Sequence, residues 1–480
     1  MTSYSEACAD PNIFGPWFSG ASWATWRVLD KALFGEPLAP DELKIFTELT
    51  GRTEAPTAPA KEAWLVMGRR SGKDLKAASI AVYMATIGAE LHGYRKRLQR
   101  GERGVVQILA VDRDQASVAF RYAKAYFEQP LLAQLLKRET SDTLELKNDI
   151  AIEITTNDQR RVRGRTVIAA IFDEVAHWRN DNTISPDLEV YRAVRPAMLT
   201  IPNAMLIGIS SPHASRGLLY DKFNKHYGQP GDVLVAKAPT WKMNLTVTRE
   251  TDEIASTYKD DYSYASAEYG AEFRNDLEAF ISDRVLDACT DDEFERAYHP
   301  SFGYSCFVDP SGGSNDSMTL AIAHMEAEIA VLDLIREVRA PFNPQVVVAD
   351  FCKTMKAYNI TRCNGDRYAA EWVTSAFDQC GIFYEPTEQN RSELYLNFLP
   401  MANSGTVALV THDRMRNQFL SLERKPGRGA DKVDHPRNGR DDVCNAVAGA
   451  LVLCKLEPGA TVLPGWGKGE TINYPDMGVA

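Results

Sequence analysis

Two sets of residues in this chain have the types and spacing to do chemistry on phosphates. The first lies in "AWLVMGRRSGKD", where Gly68, Arg69, Arg70, Ser71, Gly72, Lys73 and Asp74 fall between an apolar run and a helical pattern. A loop in that context turns backbone N–H groups and a helix N-terminus toward phosphate oxygens, and a lysine such as Lys73 neutralises the β and γ phosphates. The usual pattern is G-x-x-x-x-G-K-[ST]. Here Met67 stands at its first position, and Asp74 stands where a Ser or Thr hydroxyl would hold Mg²⁺. A carboxylate at 74 binds the metal directly or through water but also repels the phosphates, so metal affinity is the property it alters most. Farther along, "TVIAAIFDE" is an apolar strand ending in Asp173 and Glu174. One acid there orients Mg²⁺ or its water, and the second polarises the attacking water. Just before it, "NDQRRVRGRTV" supplies Arg160, Arg161, Arg163 and Arg165, one of which is placed to reach a neighbouring subunit's γ-phosphate. The plainer alternative is a basic surface loop, which equally suits contact with DNA.

The second set is a series of aspartates. "CFVDPSGGSND" ends a strand on Asp309, with Asp316 on the following turn. "NITRCNGDRYA" puts Asp366 just past another strand, and "HPRNGRDDVCNAVAGAL" puts Asp441 and Asp442 at a helix start. Carboxylates converging from separate elements are what two-metal phosphodiester cleavage requires, and oxygen ligands suit Mg²⁺ or Mn²⁺. Each acid also has a plain explanation: Asp441 and Asp442 as acids favoured by the helix dipole, Asp309 as a turn residue. Asp350, in "VVVADFCKTMKAY", reads as an exposed helical acid and not a ligand.

The elements that must position these residues form two α/β blocks. "AWLVM", "GVVQILAV", "TVIAAIF" and "AMLIGIS" are continuous apolar strands with helices between them, which predicts a parallel sheet of the P-loop NTPase kind. "GYSCFVDP", "SMTLAIAHME" and "EIAVLDLIREVRA" then predict an antiparallel set, followed by a helix, the strand "NITRC", the helix "YAAEWVTSAFDQCG" and a final helix from Asp441. The expected divisions are an ATPase domain at 1–212, a lid or linker at 213–298, a nuclease domain at 299–457 and a flexible tail at 458–480. A chain of 480 residues suits two or three domains. Its net charge of -11 argues against a protein that coats nucleic acid, while leaving room for local grip by the basic stretches at 93–103 and 423–440. Eight scattered cysteines without a C-x-x-C pair predict reduced thiols. Neither a membrane span nor a secretory signal is expected.

These motifs, in this order over residues 45–455, resemble the large terminase subunit of tailed bacteriophages, a DNA-packaging ATPase and nuclease. "TGRTEAP" and "MGRRSGKD" are similar to the start of the family's ATPase. "ILAVDRDQA" resembles the strand and Gln-containing turn that follow, and "VRGRT" before "IFDEVAHW" its Arg–Gly segment and acidic strand. "GISSPHASRGLLYDKF" resembles the coupling motif, where small polar residues after a strand sense nucleotide state. "APTWKMN" and "YGAEFRND" resemble its lid and linker. "FVDPSGG", "NGDRYAAEWV", "ELYLNFLP" and "DHPRNGRDDVCNA" resemble its RNase H-like nuclease. The resemblance implies that Lys73 is the phosphate lysine, Asp173 the metal-associated acid, Glu174 the catalytic glutamate and Arg163 a finger acting in trans. It implies that Asp309 and Asp366 are nuclease metal ligands, with one or both of Asp441 and Asp442 completing the site. The family departs from the fuller loop pattern at Met67 but usually carries Ser or Thr at 74. Expected cofactors are ATP and Mg²⁺, with Mn²⁺ serving in the nuclease site. Expected partners are double-stranded DNA, a portal protein, a small terminase subunit and further copies of the chain in a ring of five on the procapsid. Action in the host cytoplasm, and absence from the mature virion, follow from the same resemblance. A helicase-nuclease shares the two chemistries, and a capsid-vertex component with a decayed ATP site would explain Asp74.

Overall fold

The computed structural model describes residues 2–157, 164–178, 186–314, 316–367, 370–427, 431–436 and 439–456. The chain divides into two compact units, Met1–Leu277 and Glu278–Ala480. The stretch 213–298, expected as one lid or linker, is therefore shared between them.

The first unit is built on eight strands: β1 (Glu62–Met67), β2 (Gly104–Ala110), β3 (Leu136–Glu139), β4 (Thr143–Leu146), β5 (Ile150–Thr156), β6 (Thr166–Asp173), β7 (Met205–Ser210) and β8 (Val233–Ala238). Their order is β3-β4-β5-β2-β6-β7-β1-β8. The run from β5 to β8 is parallel, and β3 and β4 add an antiparallel edge. Every residue of β1, β2 and β7 is buried, as strands covered on both faces must be. Alternate β1 side chains serve opposite cores. Ala63, Leu65 and Met67 pack with the helices Lys73–Ala85 and Arg113–Tyr126, while Trp64 and Val66 pack with Pro186–Ala197 and Leu218–His226. The expected four strands are present. The structure adds β8 beside β1 and the β3–β5 group beyond β2.

The second unit has a six-stranded mixed sheet from β10 (Tyr304–Asp309), β11 (Met318–Glu326), β12 (Ile329–Val338), β13 (Arg362–Gly365), β14 (Phe383–Pro386) and β15 (Val407–Ala408), after the two-residue β9 (Glu278–Ala279). The order is β14-β13-β10-β11-β12-β15. The first three long strands are antiparallel and β13 and β14 lie parallel to β10, which is the RNase H-like arrangement. Two short strands, β16 (Glu423–Lys425) and β17 (Lys432–Asp434), form a separate small sheet with β9, with β16 in the middle. The helix Asp442–Leu456 is buried along most of its length. Gly449 lets it close on the sheet, because a Cβ there would lie 2.4 Å from the Phe307 ring. Among the described residues no helix is long and apolar enough to cross a membrane.

Candidate functional site

The phosphate loop leaves β1 at Gly68 and enters the helix Lys73–Ala85 at the C-terminal edge of the parallel strands. Two residues have left-handed backbones, Arg70 with φ 64° and Gly72 with φ 86°. Gly72 is required twice over: its φ disfavours a side chain, and a Cβ there would lie 2.5 Å from the Trp23 ring. The loop is braced by later sequence. The Arg69 N–H donates to the Glu268 carbonyl and its guanidinium pairs with the Glu268 carboxylate at 3.2 Å. The Thr240 hydroxyl donates to the Arg69 carbonyl at 2.6 Å, and the Asn244 amide to the Arg70 carbonyl at 3.1 Å. Ser71 is buried.

Lys73 is surrounded by acids. Its Nζ lies 2.8 Å from Glu174 Oε1. Burial opposes the ammonium charge, but Glu174, Asp74 and Asp173 outweigh it and raise the lysine above its ordinary pKa. Glu174 follows β6 in a left-handed conformation, φ 51°. Its Oε2 accepts from the Ser210 hydroxyl at 3.0 Å and the Ser211 N–H at 3.3 Å. Burial pushes its carboxyl up, but Lys73 and then His177 pull it down to about 2. Asp173 is raised well above the carboxylate range by burial and by Asp74 and Glu174. Gln115 donates to Asp173 Oδ2 at 3.3 Å. Asp74 is also raised, first by burial. Asp74 Oδ1 and Asp173 Oδ1 are both buried without a hydrogen-bond partner. Two such oxygens beside a phosphate loop fit the donor set of a hard divalent cation.

In the second unit Asp309 closes β10, Asp366 follows β13, and Asp441 and Asp442 lead into the last helix. One side chain ties three elements together: Asn445 Nδ2 donates to Asp309 Oδ2 at 3.1 Å and to Asp366 Oδ2 at 2.9 Å. The two adjacent aspartates then differ. Asp441 is held by Arg391 at 2.8 and 3.0 Å and by the Tyr395 hydroxyl at 2.9 Å. Asp442 accepts the Ser317 N–H at 3.2 Å, with Arg414 3.9 Å away. Burial raises Asp442 to about 6, with Asp441 and Asp316 adding to the effect. Asp309 is raised well above the carboxylate range by burial, then by Asp366, Asp442 and Asp441. Such mutual repulsion among carboxylates fits a site for divalent cations. Asp434, His435 and Asp441 also bring one ligand atom each within 4.8 Å of one another, next to the same site.

Residues 40–271 match the family model described as the N-terminal P-loop domain of the uncharacterized protein MJ0330. This part of the chain is a P-loop domain. No curated protein matches the chain. Among solved structures it is similar to the HK97 bacteriophage large terminase, at 17% identity over 90% of this chain and 99% of that chain, with a TM-score of 0.37. It is similar to the large terminase of the thermophilic bacteriophage D6E in complex with ADP, at 14% identity over 87% of this chain and 100% of that one, TM-score 0.37. The large terminase nuclease of the thermophilic phage G20c with bound magnesium is similar over 36% of this chain and 96% of its own, at 16% identity and a TM-score of 0.32.

The P-loop domain thus gathers Lys73, Asp74, Asp173 and Glu174 as the sequence led one to expect. The second unit gathers Asp309, Asp366, Asp441 and Asp442. Asp316 is exposed on its turn and acts on Asp442 only through its charge. Asp350 is exposed on the helix Pro344–Ala357. Arg160, Arg161 and Arg163 lie outside the described residues, and Arg165 pairs with Glu153 of its own chain at 2.9 Å. Sequence reasoning did not find Asn445, Arg391, Tyr395, Glu268 or the tryptophans at the loop. Asn445 had a signal, since it sits one helical turn after Asp441 and Asp442.

Proposed function

We propose that this chain is a large terminase subunit: the P-loop domain hydrolyses ATP to move double-stranded DNA into a procapsid, and the second unit cuts that DNA. The observation that carries the reading is the pairing in one chain of two acid sites. One is built around a phosphate-loop lysine, and the other is built around Asn445 on an RNase H-like sheet.

Phosphate oxygens compete with Glu174 for the Lys73 ammonium. Glu174, released from Lys73 but still held at Oε2 by Ser210 and Ser211, then presents Oε1 to a water and takes its proton. Because Ser210 ends β7 and Ser211 follows it, nucleotide state at Glu174 is passed directly to that strand. Asp74 and Asp173 would hold Mg²⁺ there. In the second unit Asp309, Asp366 and Asp442 would hold Mg²⁺ or Mn²⁺, with Asp441 committed to Arg391 and Tyr395. A divalent cation, when bound, neutralises phosphate charge and lowers the pKa of a coordinated water. Asn445 fixes one oxygen of Asp309 and one of Asp366, which sets the direction in which their remaining oxygens face.

On this reading the chain works as a ring of five on a portal protein, with a small terminase subunit, in the host cytoplasm. Arg163 supplies the finger to its neighbour. DNA is gripped through phosphates, so binding weakens with salt. The test is plasmid cleavage with Mn²⁺ or Mg²⁺ by the wild type beside Asp366→Ala. Cutting by the wild type alone is expected, with ATP turnover equal in both. Equal cutting by both proteins would place the nuclease elsewhere. A forked duplex left unseparated in ATP sets packaging apart from helicase action.

A further inference from the structure

The phosphate loop is braced on one side by residues 240–244 and 268. Its other side is covered by the N-terminal helices. Trp26 Nε1 donates to the Ser71 carbonyl at 2.7 Å, at the centre of the loop. The Trp23 ring lies over Gly72, where it fills the space a side chain would take. One turn into the loop's helix, Lys76 is fully buried and paired with Asp30, which is also fully buried. The Lys76 ammonium sits 4.0 Å from the Phe18 ring centre and 3.5 Å from Cys8 Sγ. The Thr25 hydroxyl donates to the Lys242 carbonyl at 2.7 Å, within the segment whose Thr240 holds Arg69. The two braces are therefore one connected set.

A buried ion pair of this kind is weak support for stability, because desolvating two charges costs about as much as their attraction returns. Its value lies in fixing one arrangement. Among the described residues Asp30 is the acid paired with Lys76, and it fixes the register of Trp23 and Trp26, both within two turns of it, against the loop. The left-handed backbone at Arg70 needs such outside support to persist.

We propose that Trp26, with Trp23 and the Asp30–Lys76 pair behind it, is a positioning device for the phosphate loop, setting nucleotide affinity without touching the nucleotide. The proposal rests on the ATPase reading above. Trp26→Phe keeps an aromatic ring but removes the donor to Ser71 with the rest of the indole. Tyr4→Phe serves as its control, removing a bond of 2.7 Å between the same arm and Ser79, farther along the same helix. Each variant loses one buried hydrogen bond, and Trp26→Phe, which also leaves a cavity at a fully buried site, lowers Tm more. Binding of ATP with Mg²⁺ is measured by calorimetry, and turnover by steady-state kinetics. Trp26→Phe is expected to weaken ATP binding about five- to tenfold, the worth of one hydrogen bond to a buried carbonyl, raising KM while kcat is unchanged. Tyr4→Phe is expected to bind as the wild type does. Equal affinity in Trp26→Phe and wild type overturns the proposal, as does equal weakening in both variants, which would mark mere loosening of the arm. If Trp26→Phe does not fold, Thr25→Val tests the same brace, and unchanged ATP affinity there overturns it. A wild type that binds no ATP removes the nucleotide reading itself.

Discussion

The two acid sites solve the same problem of like charge in different ways. In the P-loop domain three carboxylates share Lys73 at their centre, and the nearest of them, Glu174, is pulled down to about 2. In the second unit Arg391 serves Asp441 at the side of the group and Arg414 stands 3.9 Å from Asp442, which is still pushed up to about 6. The first site carries its own countercharge, which on the proposed function it exchanges for phosphate. The second, on the proposed function, takes its charge balance from cations in solution. Net charge therefore teaches little about either site, and the position of a single cationic side chain teaches much.

The largest effect that would break this contrast is at Glu174. Glu174→Gln should lower ATP turnover on the order of 10²- to 10⁴-fold, the span of a lost general base, while ATP still binds. Turnover near the wild-type rate would remove Glu174 from the chemistry. The second site should respond in stability as well as activity. The folded-state pKa of Asp442, about 6, exceeds its ordinary value of 3.8, so its protonated form is the stabilising one. That contribution is present below about pH 4 and is lost as pH rises through about 6. At pH 7 with chelator, Asp442→Asn should therefore be more stable than the wild type, by on the order of a few kcal/mol, with the gap closing in acid. Adding Mn²⁺ should raise the wild-type Tm more than that of the variant. Melting curves that ignore both pH and Mn²⁺ would refute the claim that this cluster awaits cations.

A smaller effect is expected at Asp74. Replacing it with Thr removes one acid beside Lys73, so ATP binding in chelator should strengthen about tenfold, equal to about 1.4 kcal/mol of repulsion relieved. Weaker binding would make Asp74 an asset to the loop. The finest distinction is between the adjacent aspartates. Asp441→Asn should retain more cleavage than Asp442→Asn at saturating Mn²⁺, because Arg391 already occupies Asp441. The reverse order would exchange their roles.

How far the sequence could be read follows the range of the forces involved. β1, β2, β6, β7 and the β10–β12 set announce themselves as runs of apolar residues, since burial on both faces leaves no other choice. β8 carries Lys237, whose ammonium escapes to Glu272 at 2.6 Å, and β5 carries Glu153, neutralised by Arg165. Each charge masks a strand until its partner is known. "NITRC" was placed too early, because Asn359 takes a left-handed turn, φ 57°, and pairing begins only at Arg362. The acids of both sites were legible because chemistry demands them at strand ends and a helix start. Arg391, Glu268, Trp23 and Trp26 were not. Their roles arise from contacts between segments distant in sequence, for which no local pattern exists.

On the proposed function, the helix Asp442–Leu456 has a consequence for when the protein becomes hazardous to DNA. It brings Asp442 and Asn445 to strands made much earlier, and it is the last helix of the described chain. Asp309 and Asp366 emerge from the ribosome long before the amide that ties them together. A nascent chain, or one ended early by a stop codon, has Lys73, Asp173 and Glu174 complete and the aspartates of the second site unassembled. On the proposed function the order of synthesis thus acts as a safety catch: the nuclease is armed last.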